Sequence, residues 1–156
     1  MKEIKRILIA NRGEIALRAL RTIQEMGKEA VVVHSTADSD ALYLRYADAS
    51  ICIGEARSSD SYLNIPAIIT AAEIAGVDAI FPGYGFLSEN QSFVEICEKH
   101  NIKFIGPSVQ AMALMSDKSK AKQMMMRAGI PVVPGSDGEV ADAQHAKNLA
   151  KQIGYP

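Results

Sequence analysis

Short apolar runs alternate with helix-forming stretches along most of the chain, and no other feature limits the possible folds as much. These runs predict five buried strands, at residues 4–10, 29–34, 50–53, 78–81 and 103–105. Strands that alternate with helices of about ten residues form right-handed βαβ units around a parallel sheet. We therefore predict an α/β fold in which an open parallel sheet is the middle of three layers.

Helical spacing of apolar residues predicts the layers that cover the sheet. Helices are expected at residues 13–26, 40–47, 65–75 and 88–100. Asn64 is a suitable N-cap for the third of these helices, and Pro66 fits its first turn. Ser88 and Gln91 have the spacing of a capping box, which predicts where the fourth helix begins.

The pattern changes after the fifth predicted strand. Helix signals run from residue 109 to residue 128, residues 130–134 predict a short extended strand, and residues 141–153 predict a last helix, with a turn-rich linker at residues 135–138. We therefore expect an α/β domain at residues 1–115. Residues 116–156 are expected to form a connecting helix, a short strand and a tail.

The composition is that of an ordinary globular protein, with 48% hydrophobic and 22% charged residues. The formal net charge of -1 gives no basic excess for nucleic acid or anionic lipid. No apolar run approaches the roughly 20 residues that a membrane-spanning helix needs. The first residues lack the apolar stretch of a signal peptide. We expect a cytoplasmic protein that has neither nucleic acid nor a membrane as a partner.

The turn after the first predicted strand argues against a dinucleotide site. Such a site needs G-x-G-x-x-G, so that backbone can approach a pyrophosphate. The turn carries Gly13 alone, and Glu14 stands where an anion would bind. Gly83 and Gly85 follow the fourth strand but lack the third glycine. NAD binding is therefore disfavoured, although the ends of the strands remain the expected place for a ligand.

No catalytic or metal centre emerges from the remaining residue types. The three histidines are scattered, the two cysteines are isolated, and no carboxylates have metal-ligand spacing. Lys118, Lys120 and Lys122 lie in one predicted helix, and their composition alone indicates a solvent-exposed helix face. Arg18, Arg21 and Glu25 share one stripe of the first helix. That stripe is either a solvent face or a polar contact with another chain.

Six sequence blocks, in order, resemble those of the biotin carboxylase family. They are IANRGEIA at residues 9–16, SYLNIP at 61–66, PGYGFLSEN at 82–90, FIGP at 104–107, DK at 117–118 and VPGS at 133–136. The resemblance is strongest to the free-standing bacterial subunit of acetyl-CoA carboxylase. Phe81 stands where many members have histidine, in a block that is otherwise intact.

The resemblance implies a Rossmann-like domain that precedes an ATP-grasp fold. Members of the family use ATP, with magnesium or manganese, to activate bicarbonate. They then transfer the carboxyl group to biotin on the biotin carboxyl carrier protein, and carboxyltransferase subunits use the product. The full-length protein is expected to form a homodimer.

The resemblance also implies roles for particular residues. Lys118 matches the family's first ATP-contacting lysine. Tyr84 and Glu89 match the wall of the biotin pocket. A further set matches the homodimer interface: Arg18, Arg21 and Glu25.

The resemblance places the rest of the family's active site beyond Pro156. The second ATP lysine, the glycine-rich lid, the metal-binding acids and the arginine that handles bicarbonate and biotin are all expected there. We therefore expect no catalytic residue, no metal ligand and no tightly bound cofactor within these 156 residues, and no activity from them alone. The alternatives are the biotin carboxylase part of a pyruvate or propionyl-CoA carboxylase, a non-catalytic assembly or dimerisation module, and an unrelated nucleotide-binding α/β protein.

Overall fold

The computed structural model describes residues 3–135 and 140–154, with the backbone alone at Ser116 and Lys118. The chain forms two compact units, Met1–Val109 and Gln110–Pro156, so the division falls before the boundary expected from the sequence. Within the described ranges, no helix has both the length and the apolar content that crossing a bilayer requires.

The first unit is built on an open sheet in which every neighbouring pair of strands is parallel. The strands are β1 (Arg6–Ile9), β2 (Glu29–His34), β3 (Ala49–Cys52), β4 (Ala79–Phe81) and β5 (Lys103–Phe104). Their order is β3-β2-β1-β4-β5. This is the strand order of Rossmann-type folds. The predicted α/β class, the parallel sheet and all five strands are confirmed.

Six α-helices and three short 3-10 helices are formed within the described residues. The α-helices are α1 (Gly13–Glu25), α2 (Ile65–Ile74), α3 (Gln91–Lys99), α4 (Val109–Ser116), α5 (Lys118–Arg127) and α6 (Ala143–Ile153). The 3-10 helices are Thr36–Asp38, Leu42–Tyr46 and Ser58–Asp60.

Helices cover both faces of the sheet, as predicted. On one face, Ile7 and Ile9 pack in a single core with Leu20 of α1. Leu8 points to the other face, and the register continues that face through Ile80 to Phe104. The ring of Phe93 in α3 meets that of Phe104 edge-on, with centroids 5.9 Å apart. Because α1 and α3 lie on opposite faces, the unit has three layers.

One helix start predicted in the first unit is wrong. The fourth predicted helix begins at Gln91, and its N-cap is Asn90, whose side chain accepts a hydrogen bond from the Phe93 N–H at 2.9 Å. Ser88 instead closes a turn, because its N–H donates to the Gly85 carbonyl. The short helix expected at residues 40–47 is formed as the 3-10 helix Leu42–Tyr46.

The second unit departs further from its sequence pattern. The helical segment expected at residues 109–128 is formed as two helices, because Asp117 adopts an extended backbone and caps α5. The Asp117 carboxylate accepts hydrogen bonds from Ser119 N–H and Lys120 N–H, each at 3.1 Å. The short strand expected at residues 130–134 is not formed. Of the linker predicted at residues 135–138, residues 136–138 lie outside the described residues.

Candidate functional site

The site begins where the order of the sheet reverses. From β1 the chain first builds β2 and β3 on one side, and then β4 and β5 on the other. In open α/β sheets, ligands bind in the crevice outside the carboxyl ends of the strands that flank such a switch point. The segments after β1, β2, β3 and β4 contribute side chains there. We call their interacting side chains the strand-end cluster: Asn11, Arg12, Glu14, Ser35, Asp38, Tyr62, Tyr84 and Phe86.

Asn11 bridges the two strands that flank the switch point. It lies two residues after the end of β1 and is 3% exposed. Its side-chain amide donates to the carbonyl oxygens of Pro82 at 2.7 Å and Tyr84 at 2.8 Å. Its side-chain oxygen accepts from the Arg12 N–H at 2.9 Å. Because each polar atom of this buried amide has a partner, Asn11 ties the loop after β4 to the end of β1.

Gly83 is the residue that lets this loop approach Asn11. Its φ is +68°, a left-handed conformation that side chains with a Cβ rarely adopt. A Cβ on Gly83 would lie 2.9 Å from the Asn11 amide nitrogen and 3.1 Å from Ile15 Cγ1. Glycine is therefore required both by the backbone conformation and by the close packing.

Tyr84 stands on this loop with 60% of its surface exposed. Its hydroxyl donates to the carboxylate of Glu14, which lies in the first turn of α1. That hydrogen bond raises the pKa of the Tyr84 phenol above its ordinary value, because removing the proton would place two anions together. The carboxylate of Glu14, in the first turn of α1, therefore accepts a hydrogen bond from a side chain of the same chain.

A buried carboxylate lies at the end of β2. Asp38 accepts hydrogen bonds from the Tyr62 hydroxyl at 2.7 Å and the Ser35 hydroxyl at 2.9 Å, and forms an ion pair with Arg12. Burial by itself raises the pKa of Asp38, but the hydrogen bonds from Tyr62, Ser35 and Arg12 together lower it below the ordinary carboxyl value. Asp38 is therefore a stable anion at neutral pH.

Aromatic contacts extend this group to the loop after β4. The ring of Tyr62 stacks on that of Phe86, with centroids 5.0 Å apart and 21° between the planes. The Arg12 guanidinium carbon lies 5.8 Å from the centre of the Tyr62 ring. Its hydrogen bond to Asp38 raises the pKa of Arg12, so the guanidinium stays charged. The loop is therefore held near its start by Asn11 and at Phe86 by Tyr62.

The structure brings some of the residues singled out from the sequence together. Tyr84 and Glu89 lie in one loop after β4, and both are exposed. Arg18, Arg21 and Glu25 lie on the exposed face of α1, where they line one shallow depression of about 410 Å³. Lys118 is the first residue of α5, in the second unit, and its side chain lies outside what the structure describes.

Several members of the strand-end cluster were not singled out from the sequence. The sequence shows Asn11 in a turn with a single glycine and in the first of the six blocks, and it assigns no particular role to Asp38, Tyr62 or Phe86. A signal was present, since Asn11 and Asp38 both closely follow predicted strands whose carboxyl ends share one edge of the sheet. Among the residues that the structure describes, no group of three or more His, Cys, Asp or Glu side chains could hold a metal ion.

Comparison with known proteins places this geometry in a family. The model of the biotin carboxylase N-terminal domain matches residues 3–112, and that of the carbamoyl-phosphate synthase L chain ATP-binding domain matches residues 117–156. The chain is 58% identical to the biotin carboxylase of Nostoc sp. over 151 residues, which cover 97% of this chain and 34% of that protein.

Solved structures agree with these matches. The crystal structure of a biotin carboxylase–β,γ-ATP complex from Campylobacter jejuni has a TM-score of 0.92 and 81% identity, covering 99% of this chain and 34% of that one. The biotin carboxylase domain dimer of Hydrogenobacter thermophilus 2-oxoglutarate carboxylase, in complex with MgADP, ADP and bicarbonate, has a TM-score of 0.89 and 45% identity. It is matched over 100% of this chain and 34% of its own.

The chain thus spans about a third of the length of these relatives. The family-model match covers the parallel sheet and all the loops that form the strand-end cluster. The chain therefore belongs to the biotin carboxylase N-terminal domain family.

Proposed function

We propose that this chain is the N-terminal part of a biotin carboxylase of the acetyl-CoA carboxylase type. In the reaction of such an enzyme, ATP phosphorylates bicarbonate. The carboxyl group then passes to N1′ of biotin on the biotin carboxyl carrier protein as phosphate leaves. The observation that carries the proposal is the family match over residues 3–112, together with the switch-point loop that it includes. Nucleotide and bicarbonate in the solved relatives support it.

In this proposal the first unit supplies one wall of the biotin pocket. Tyr84 and Glu89 are exposed on a loop whose backbone is fixed from two sides, which suits residues that meet a ligand from a rigid support. The exposed ring of Tyr84 offers an amphipathic surface for the biotin bicycle, with apolar faces and a hydroxyl at the edge.

The second unit would supply one ATP contact, Lys118. An ammonium group is a compact cation that suits a phosphate oxygen, and the match to an ATP-binding domain begins at residue 117. Magnesium or manganese accompanies ATP in the proposed reaction. Among the described residues, no three His, Cys, Asp or Glu side chains come together for such an ion, so we assign no metal ligand to them.

The proposed ATP contact is tested by Lys118→Ala in the full-length enzyme. We expect the KM for ATP to rise about tenfold, since one charge-assisted hydrogen bond to a phosphate contributes roughly 1.5 kcal/mol or more. The measurement is biotin- and bicarbonate-dependent ATP hydrolysis. Lys147→Ala, which removes an exposed charge from α6, is the matched control and should leave that KM within about twofold.

Two results would contradict these assignments. An unchanged KM for ATP in Lys118→Ala would remove that residue from the site. A full-length enzyme without biotin-dependent ATP hydrolysis would contradict the proposed function itself. The 156-residue chain alone is expected to stay at background in the same assay.

We further propose that the exposed α1 stripe of Arg18, Arg21 and Glu25 contributes to a homodimer interface. Arg18→Glu should weaken the dimer of the full-length enzyme about tenfold or more, because reversing a charge places like charges across the contact. Light scattering across a dilution series measures the change, and Arg45→Glu is the control, being another exposed arginine in the same unit.

A dimer unchanged by Arg18→Glu would place the interface elsewhere. A stable dimer of the chain with no carboxylase activity in the full-length protein would favour an assembly module instead. Carboxyltransferase partners, the final carboxyl acceptor (acetyl-CoA, pyruvate or propionyl-CoA) and a cytoplasmic location stay predictions.

A further inference from the structure

We propose that Asn11 is a positioning residue for biotin: its side-chain amide fixes the loop that presents Tyr84 at the switch-point crevice. The inference rests on the proposed function, from which Tyr84 takes its place in the biotin pocket. The inference adds Asn11, which lies after β1 rather than in the loop of Tyr84 and need not contact biotin itself.

The hydrogen bonds of Asn11 admit one orientation of its amide. The nitrogen donates to two carbonyl oxygens, those of Pro82 and Tyr84, which lie on either side of Gly83. The oxygen faces the Arg12 N–H. A reversed amide would point its oxygen at both carbonyls and its nitrogen at an N–H donor. The two donors therefore act as a clamp on three consecutive residues of the loop.

The packing around Gly83 shows that this clamp is tight. The space for a Cβ on Gly83 is already filled by Asn11 Nδ2 and by Ile15 Cγ1. Ile15 is a buried residue of α1, so the loop rests on the helix as well as on the Asn11 amide. A change at Asn11 must therefore alter the support beneath Gly83.

Tyr84 has little else to fix it. Its side chain is mostly exposed, and its hydroxyl pairs with an exposed carboxylate, that of Glu14. Such a surface pair restrains a side chain weakly. Further along, the loop is next held where Phe86 stacks on Tyr62. The position of Tyr84 is therefore set by its backbone, and the nearest buried restraint on that backbone is Asn11.

The substitution Asn11→Asp tests the inference with almost no change in side-chain volume. It replaces the amide donors by carboxylate oxygens that face the Pro82 and Tyr84 carbonyls. Two measurements follow: amide hydrogen exchange in the 156-residue chain at Ala10 and Ser88, whose N–H groups donate to the Phe81 and Gly85 carbonyls, and the KM values for free biotin and for ATP in the full-length enzyme. Asn11→Ala, which removes the donors without adding charge, is a second variant.

Asn64→Ala is the matched control. It removes a different asparagine that accepts one hydrogen bond, from the Ala67 N–H at the start of α2. Loss of an N-cap lowers stability without touching the loop after β4. This control separates an effect on positioning from a general loss of stability.

We expect both Asn11 variants to speed exchange at the Ala10 and Ser88 amides by about tenfold or more, because their acceptors, the Phe81 and Gly85 carbonyls, flank the segment that loses two buried hydrogen bonds. We expect the KM for biotin to rise about tenfold while the KM for ATP changes less than about twofold. The control should change neither. Unchanged exchange in both Asn11 variants would overturn the inference, as would an equal rise in the KM for biotin in Asn64→Ala.

Failure of the proposed function is distinguishable from these outcomes. In that case the unsubstituted enzyme would show no biotin-dependent ATP hydrolysis. Faster exchange in the Asn11 variants would then still support the clamp on the loop, and unchanged exchange would still overturn it.

Discussion

Gly54→Ala is expected to lower the free energy of unfolding by about 4 kcal/mol or more, a large part of the roughly 5–15 kcal/mol that stabilises a typical domain. An added Cβ at residue 54 would lie 1.9 Å from the carbonyl oxygen of Asp60, far inside van der Waals contact. The φ of +143° also suits glycine alone. Either the loop after β3 or the backbone at Asp60 must therefore move.

Neither segment is free to move. The Gly54 carbonyl accepts a hydrogen bond from the Thr36 N–H at 2.9 Å, next to the end of β2. On the other side, Asp60 precedes Ser61 and Tyr62, which are 0% and 2% exposed. The Tyr62 hydroxyl bonds to Asp38, so a shift at Asp60 would disturb the strand-end cluster. The clash between a Cβ at residue 54 and the Asp60 carbonyl is therefore expected to disturb the strand-end cluster as well as to destabilise the fold.

Urea unfolding followed by circular dichroism measures this effect, with Gly76→Ala as the control. Gly76 also has a positive φ, +60°, but a Cβ there would meet no atom within 4 Å. Its replacement should cost only about 1 kcal/mol, the strain of a left-handed alanine. Equal losses in the two variants would show that the contact with Asp60 is not the cause.

The strands were predictable because burial on both faces of a parallel sheet demands continuous apolar runs. Val31, Val32 and Val33 are a clear case, since all three are fully buried. Helix ends were less certain because neighbouring residues compete as caps. Ser88 and Asn90 both precede α3 and could each cap it. Asn90 is the cap, because Ser88 belongs to a turn in which its N–H donates to the Gly85 carbonyl.

The break at Asp117 was not predictable from periodicity. A single polar residue within a helical pattern reads as part of the solvent face. What ends α4 and starts α5 is the hydrogen bonding of the Asp117 carboxylate to the next turn. That choice between a helical and a capping conformation is made by local hydrogen bonds that compete with the helix.

The place of the site was predictable, and its internal contacts were not. Sequence pattern located the loops at the carboxyl ends of the strands. The contacts within the cluster join residues far apart, since Arg12 and Asp38 are 26 positions apart and Asn11 and Tyr84 are 73 apart. Only the order of the strands, with β4 placed beside β1, brings Asn11 next to Tyr84. The pattern of apolar runs identifies the strands but does not reveal which strands are neighbours.

Asp38→Ala is expected to lower the free energy of unfolding by about 3 kcal/mol at neutral pH. The change removes the acceptor for the Tyr62 and Ser35 hydroxyls and the partner of Arg12. Most of the loss comes from the two buried hydroxyls. The Arg12 side chain is 51% exposed, so water compensates much of its lost ion pair.

Asp38→Asn removes the negative charge of residue 38 while keeping the side-chain shape, and its effect on stability is expected to depend on pH. Because the fold lowers the pKa of Asp38, its carboxylate stabilises the protein at pH above the unfolded value of about 4. As the pH falls below that value, the unfolded chain takes up the proton first. The stabilisation is therefore lost as the pH falls towards the folded pKa.

We consequently expect Asp38→Asn to be less stable than the unsubstituted protein at pH 7, with the difference shrinking as the pH falls from about 4 towards 2. Urea unfolding at a series of pH values measures it. Asp40→Asn, which changes an exposed carboxylate two residues away, is the control and should stay within about 0.5 kcal/mol at pH 7. A difference between Asp38→Asn and the unsubstituted protein that stays constant down to pH 2 would mean that the Asp38 charge adds no stability. The hydrogen bonds to Tyr62 and Ser35 would then hold the cluster through shape alone.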